Sequence, residues 1–102
     1  MNISNLLNVN PVLVDRVRLS IMATLAFKKE PVDFNSIIIE LGLTKGNLST
    51  HMKKLETEKF VEITKEFVGR KPKTTYSCTK FGKEALNNYL KTVEDILKKT
   101  SG

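Results

Sequence analysis

The chain holds one cysteine, Cys78, one histidine, His51, and no tryptophan. A single thiol excludes an internal disulfide and every zinc pattern that needs several cysteines. With one histidine, no glycine-rich phosphate loop and no cluster of metal-ligating side chains, there is little from which to build a reaction centre, so neither catalysis nor a cofactor is expected. Long apolar runs are also missing. No stretch approaches the roughly 18 residues of a membrane span, and Met1 to Leu7 is too short and polar for a secretion signal, so the expectation is a cytoplasmic protein without membrane contact. Internal repeats and low-complexity tracts are absent as well.

What is present suits one domain. At 102 residues, 40% hydrophobic and 27% charged, the composition is that of a folding globular chain rather than a disordered one. The formal charge is +6 and unevenly placed. Residues 1–44 and 84–102 are each neutral, whereas residues 45–83 hold ten bases (Lys45, Lys53, Lys54, Lys59, Lys65, Arg70, Lys71, Lys73, Lys80, Lys83) against Glu56, Glu58, Glu62 and Glu66. A basic block between neutral flanks is the footprint of a nucleic-acid contact surface, although a solvated lysine-rich face would give the same count.

Hydrophobic periodicity orders the chain. A helix is predicted from Pro11 to Lys28, with Asn10 as N-cap and Leu13, Val14, Val17, Ile21, Met22 and Leu25 as its core stripe. Pro31 ends it, and Val32 adds an extended residue or two. Asp33 reads as the cap of a second helix through Ile37, Ile38 and Leu41, stopped by Gly42. After a tight turn, Thr44 caps a third helix to about Glu58, in which Leu48, Met52 and Leu55 face inward and Lys45, Asn47, Ser49, Thr50, Lys53 and Lys54 face outward. Two helices joined by a short glycine-containing turn form a helix-turn-helix, here about residues 33–58.

Beyond Lys59 the period drops to two. Val61 and Ile63 alternate with Glu62 and Thr64, and Thr74 to Cys78 alternates again, giving a two-stranded ribbon over about 60–79. The intervening Phe67 to Lys73 reads as a hairpin loop carrying Arg70, Lys71 and Lys73. Thr79 caps a last helix from Lys80 to about Lys98. Its apolar residues Phe81, Ala85, Leu86, Tyr89, Leu90, Val93, Ile96 and Leu97 cover more than one side, which points to a homodimer seam at Leu86, Tyr89, Leu90, Val93 and Leu97. Met1 to Val9 and Thr100 to Gly102 are expected to fray, unless Ile3, Leu6 and Leu7 dock as a short amphipathic turn.

The run Leu41-Gly42-Leu43-Thr44-Lys45-Gly46-Asn47-Leu48-Ser49-Thr50-His51-Met52-Lys53-Lys54-Leu55-Glu56 is followed by Phe60-Val61-Glu62 and Gly69-Arg70-Lys71-Pro72-Lys73-Thr74-Thr75-Tyr76-Ser77. Together they resemble the small prokaryotic winged helix-turn-helix regulators related to the MarR and ArsR groups, from about Asp15 to Leu90. The resemblance implies a mainly α fold with a small β-hairpin wing, dimerising through the C-terminal helix. It also implies a double-stranded DNA-binding transcription factor with its third helix in the major groove and its wing along the minor groove. Cys78 departs from the aliphatic residue such proteins often carry there.

On that surface, Lys45, Lys53 and Lys54 suit phosphates, while Asn47, Ser49 and Thr50 suit base edges. Arg70 suits a narrowed minor groove, with Lys71 and Lys73 on flanking phosphates. His51 reads as a half-buried packing element, a phosphate contact being the alternative. Cys78 reads as an inert inward thiol rather than a redox sensor. The competing class is a winged helix that binds protein or RNA, and the basic, polar outer face of the third helix argues against it. A small-molecule effector is left open.

Overall fold

The computed structural model describes residues 3–101, so Met1, Asn2 and Gly102, named in the fraying expectation, lie outside the described residues. Two short 3-10 helices, Ile3–Asn8 and Pro11–Leu13, precede α1 (Arg16–Phe27), β1 (Val32–Asp33), α2 (Phe34–Leu41), α3 (Lys45–Thr57), β2 (Val61–Val68), β3 (Lys71–Cys78) and α4 (Lys80–Ser101). The sheet is antiparallel in the order β1-β3-β2. It is a mainly helical winged fold, but the wing is stitched to the body by a third strand, with Val32 opposite Tyr76 and Asp33 opposite Thr75.

The expected helix from Pro11 is in fact two. Asn10 does cap the start, its side chain accepting from the Val12 amide at 2.9 Å. Asp15 then interrupts, extended at φ −148° and accepting from the amides of Val17 and Arg18 at 2.9 Å each. A carboxylate that satisfies two orphan amides starts a new helix rather than continuing an old one. Val14 consequently turns outward, 58% exposed, and leaves the predicted core stripe, whereas Leu13, Ile21, Met22 and Leu25 are buried.

Around that stripe Ile37, Leu48, Met52, Leu55, Phe60, Val61, Tyr76 and Leu86 complete one core. α2 ends at Gly42, left-handed at φ +66°, where glycine carries no Cβ penalty. Thr44 caps α3 by accepting from the Asn47 amide at 3.1 Å. α3 closes by the same geometry as α2 with a less usual residue. Lys59 sits at φ +63°, its amide donating to Glu56 and that of Phe60 to Leu55, both at 2.9 Å. This is a Schellman cap whose apolar contact joins two fully buried residues, Leu55 and Phe60.

The hairpin corrects the sequence reading. Strand pairing continues through Phe67 opposite Pro72 and Val68 opposite Lys71, leaving only Gly69 and Arg70 as the turn. Gly69 takes φ +67°, as a two-residue Gly-X hairpin requires. Pro72 is tolerated because β1 pairs β3 only at Thr75 and Tyr76, so at Pro72 that side of β3 has no neighbour to which an N–H is owed. Thr79 caps α4 as expected, accepting from the Gly82 amide at 2.9 Å while its hydroxyl donates to the Lys59 carbonyl at 2.7 Å. α4 runs on to Ser101, and Ile3–Asn8 lies against it rather than fraying.

Candidate nucleic-acid interface

The outward face of α3 follows from its inward one. Leu48, Met52 and Leu55, at i, i+4 and i+7, are buried, which turns the opposite side of the helix to solvent. Lys45, Asn47, Ser49, Thr50, Lys53 and Lys54 are all exposed there. The Thr50 hydroxyl donates to the Gly46 carbonyl at 2.9 Å, so towards an incoming ligand it offers chiefly an acceptor. α4 packs on α1 and on Ile3–Asn8, which leaves this face uncovered.

The second basic group sits on the hairpin, where Arg70, Lys71 and Lys73 are exposed at and beside the turn. Among the described residues, the ion pairs are Arg18–Asp15, Lys28–Glu40 and Lys98–Glu94, and His51 Nδ1 lies 3.9 Å from the Asp15 carboxylate. None involves Lys45, Lys53, Lys54, Arg70, Lys71 or Lys73. Six exposed cations without a carboxylate within 4.0 Å keep their charge available to phosphate. Lys73 does act at longer range on Asp33, whose carboxyl is held below its ordinary value first by the Ser36 hydroxyl that donates to it. Asp33 therefore binds Ser36 and makes no side-chain hydrogen bond to the amides of α2.

His51 is the packing element that its position suggested, with a role not visible in the sequence. Its side chain is 17% exposed, and Nδ1 lies 3.1 Å from Arg18 Nη1. A guanidinium only donates, so in this contact Nδ1 is the acceptor. Arg18 is itself held, with Nε donating to the Val12 carbonyl at 2.6 Å and Nη1 3.9 Å from Asp15. Asp15, Arg18 and His51 thus tie the start of α1 to the middle of α3. The Asp15 carboxyl is held below its ordinary range, first by the Arg18 amide, then by the charge of Arg18. The separation of 33 positions between Arg18 and His51 leaves no local signal for this tie; a polar pair on otherwise apolar helix faces is the one hint.

Cys78 packs against the core, and burial pushes its thiol up, away from the reactive thiolate. The proposed partner seam on α4 divides. Leu86 is only 4% exposed and belongs to the chain's own core, so it has nothing to present to a partner. Tyr89 is half-buried and packs on that core; Val93 is half-buried, while Leu90 and Leu97 are 47% and 59% exposed. Among the described residues no three His, Cys, Asp or Glu side chains gather as a metal site would require, and no helix is long and apolar enough to cross a membrane.

A helix-turn-helix followed by a paired hairpin, with cations exposed on both, defines a winged helix. Residues 17–97 match the family described as the winged helix DNA-binding domain. A relative from Methanocaldococcus jannaschii, itself uncharacterised, is 38% identical over 82 residues, spanning 80% of this chain and 88% of its own. Among solved structures, a transcriptional regulator homologue from Pyrococcus horikoshii is 31% identical, covers 89% of each chain and superposes with a TM-score of 0.82. The Bacillus subtilis PadR structure, solved with operator DNA, shares the fold at 24% identity and a TM-score of 0.64, over 74% of this chain and 48% of that one. The chain belongs to the winged helix DNA-binding domain family and is, in class, a DNA-binding transcriptional regulator.

Proposed function

We propose that this regulator binds double-stranded DNA as a homodimer, with α3 in the major groove and the β2–β3 wing along the minor groove. The observation that carries the reading is the outer face of α3, where three lysines without ion pairs alternate with Asn47, Ser49 and Thr50. Lysines neutralise phosphates and release counterions, while short polar side chains near the helix start reach base edges. Asn47 suits a bidentate contact to adenine, and Ser49 and Thr50 are permissive, so base discrimination is modest. Arg70, at the turn, enters the minor groove, and Lys71 and Lys73 hold the adjacent backbone.

Dimerisation rests on shape and on α4. The radius of gyration, 15.4 Å, exceeds the roughly 13 Å of a compact chain of this length, and the longest axis is 57 Å. Leu90, Val93 and Leu97 follow Leu86 at steps of four, three and four, the spacing of a coiled-coil seam. With Leu86 turned into the core, the seam begins at Leu90, and the exposed Ile3, Leu6 and Leu7 beside α4 extend the apolar surface. The protein acts by binding, without a reaction of its own, and in the cytoplasm, where a prokaryotic chromosome lies.

The test is a titration against genomic fragments at several salt concentrations. Six to ten phosphate contacts give a slope of about −5 to −9 in log affinity against log salt. A flat response would replace the duplex by a protein partner. Arg70→Ala should weaken binding by about tenfold while leaving thermal stability unchanged, because the side chain is exposed. Unaltered affinity would remove the wing from the interface.

A further inference from the structure

The wing carries more than cations. Side chains alternate along β2 and β3, so Phe67 and Pro72 stand on the same face as Val61, Ile63 and Tyr76, which pack in or against the core. Beyond Tyr76 the body of the protein ends and the face continues without it. Phe67 is 75% exposed, directly across from Pro72, with Lys65 and Thr74 as the next pair inward. This face opens on a cleft lined by Asp33, Phe34, Asn35, Lys65, Pro72 and Tyr76, and among the described residues nothing covers it. Lys65 shares this face and Arg70 stands at the turn, while Lys71 and Lys73 leave the ribbon on its reverse face; the nearby acids are Asp33, in the lining of the cleft, and Glu66, opposite Lys73.

That charge pattern selects the occupant. A second copy would press Lys65 and Arg70 of one wing against those of the other, and an apolar protein surface would gain nothing from them. A duplex supplies phosphates for the cations and, along the walls of its minor groove, the carbon edges of deoxyribose. Strand geometry fits this depth. Phe67 lies two residues before Gly69, about 7 Å along a strand that rises roughly 3.3 Å per residue. The minor groove is about 7.5 Å deep. With the turn itself seated in the groove, the Phe67 ring stands level with the sugars at the rim.

We infer that Phe67, flanked across the ribbon by Pro72, is a deoxyribose contact that contributes salt-independent affinity and selects DNA over RNA. A 2′-hydroxyl placed under the ring would lose its water without gaining a partner, which is unfavourable. The inference rests on the duplex-binding reading above.

The experiment compares wild type and Phe67→Ala on one bound DNA fragment and on copies carrying single ribonucleotides in the strand segments that the wing protects. Phe67→Ala is expected to bind about tenfold more weakly, the order for half-covering an aromatic ring. Its melting temperature and salt slope should be unchanged, since the ring is exposed and uncharged. One ribonucleotide under the wing should cost wild type several-fold and the variant almost nothing; Phe67→Leu should retain most of both effects. Binding within twofold of wild type, or an equal ribonucleotide cost in both proteins, overturns the sugar contact and leaves duplex binding standing. A smaller particle size for free Phe67→Ala overturns it in favour of a contact between copies. Failure of wild type to bind any duplex overturns the functional reading itself.

Discussion

Gly82, in the first turn of α4, is buried, and a Cβ built on it would come within 2.9 Å of both the Cα and the carbonyl carbon of Phe60, below the 3.0 Å that real side chains keep. The obstacle is backbone, so no rotamer change relieves it. Phe60 is also pinned. Its amide donates to Leu55 at 2.9 Å, its carbonyl accepts from Thr79 at 3.0 Å, and its ring is fully buried. Gly82→Ala therefore either strains this junction or breaks the Thr79 bond. Overpacking costs roughly 1–3 kcal/mol and a lost hydrogen bond about 1 kcal/mol, against up to about 1 kcal/mol gained from alanine's helix propensity. The net expectation is a loss of about 2 kcal/mol, or roughly 10 °C in Tm for a domain of this size. Gly46→Ala is the control, since it lies in α3 with a negative φ and a Cβ there meets nothing within 4 Å. Thermal and urea unfolding of both variants should show opposite signs, Gly82→Ala down and Gly46→Ala level or slightly up. If Gly82→Ala proved as stable as wild type, the tight packing of α4 on Phe60 would be refuted.

Two further outcomes concern charge and assembly. Asp15 has its folded pKa lowered, so its capping contribution is present above the ordinary value of 3.8 and is lost as pH falls through the folded value. Asp15→Ala should lose about 1 kcal/mol at neutral pH, with the gap to wild type narrowing below pH 3.8 in urea titrations; a gap that widened in acid would contradict the cap. Leu90→Glu combined with Leu97→Glu should leave the fold intact, because both residues are exposed, yet convert a dimer to monomers in sedimentation. An unchanged mass would move the partner surface off α4.

Much of this was legible because local chemistry and global packing agree. Asn10, Thr44 and Thr79 cap where their side chains allow, Gly42 stops α2, and the Leu48, Met52, Leu55 spacing fixes which face of α3 is exposed. The misreadings occur where two patterns overlap. An unbroken apolar stripe from Leu13 to Leu25 hid the Asp15 cap, since periodicity continues across a cap that resets the chain. Glycine and proline made 67–73 look like loop, although an edge position lets Pro72 stay in a strand. Stripe width alone did not separate Leu86, which serves the core, from Leu90, which is left outside it. At Lys59 the left-handed cap carries no glycine to announce it, and for the Asp15–Arg18–His51 tie the partners meet only in three dimensions.

The knot at Phe60 governs what the protein can adjust. One residue ends the helix cap, begins the wing and seats the final helix, so α3 and the hairpin hang from a common pivot. Trimming the Phe60 ring would therefore loosen the end of α3, the start of the wing and the seat of α4 together.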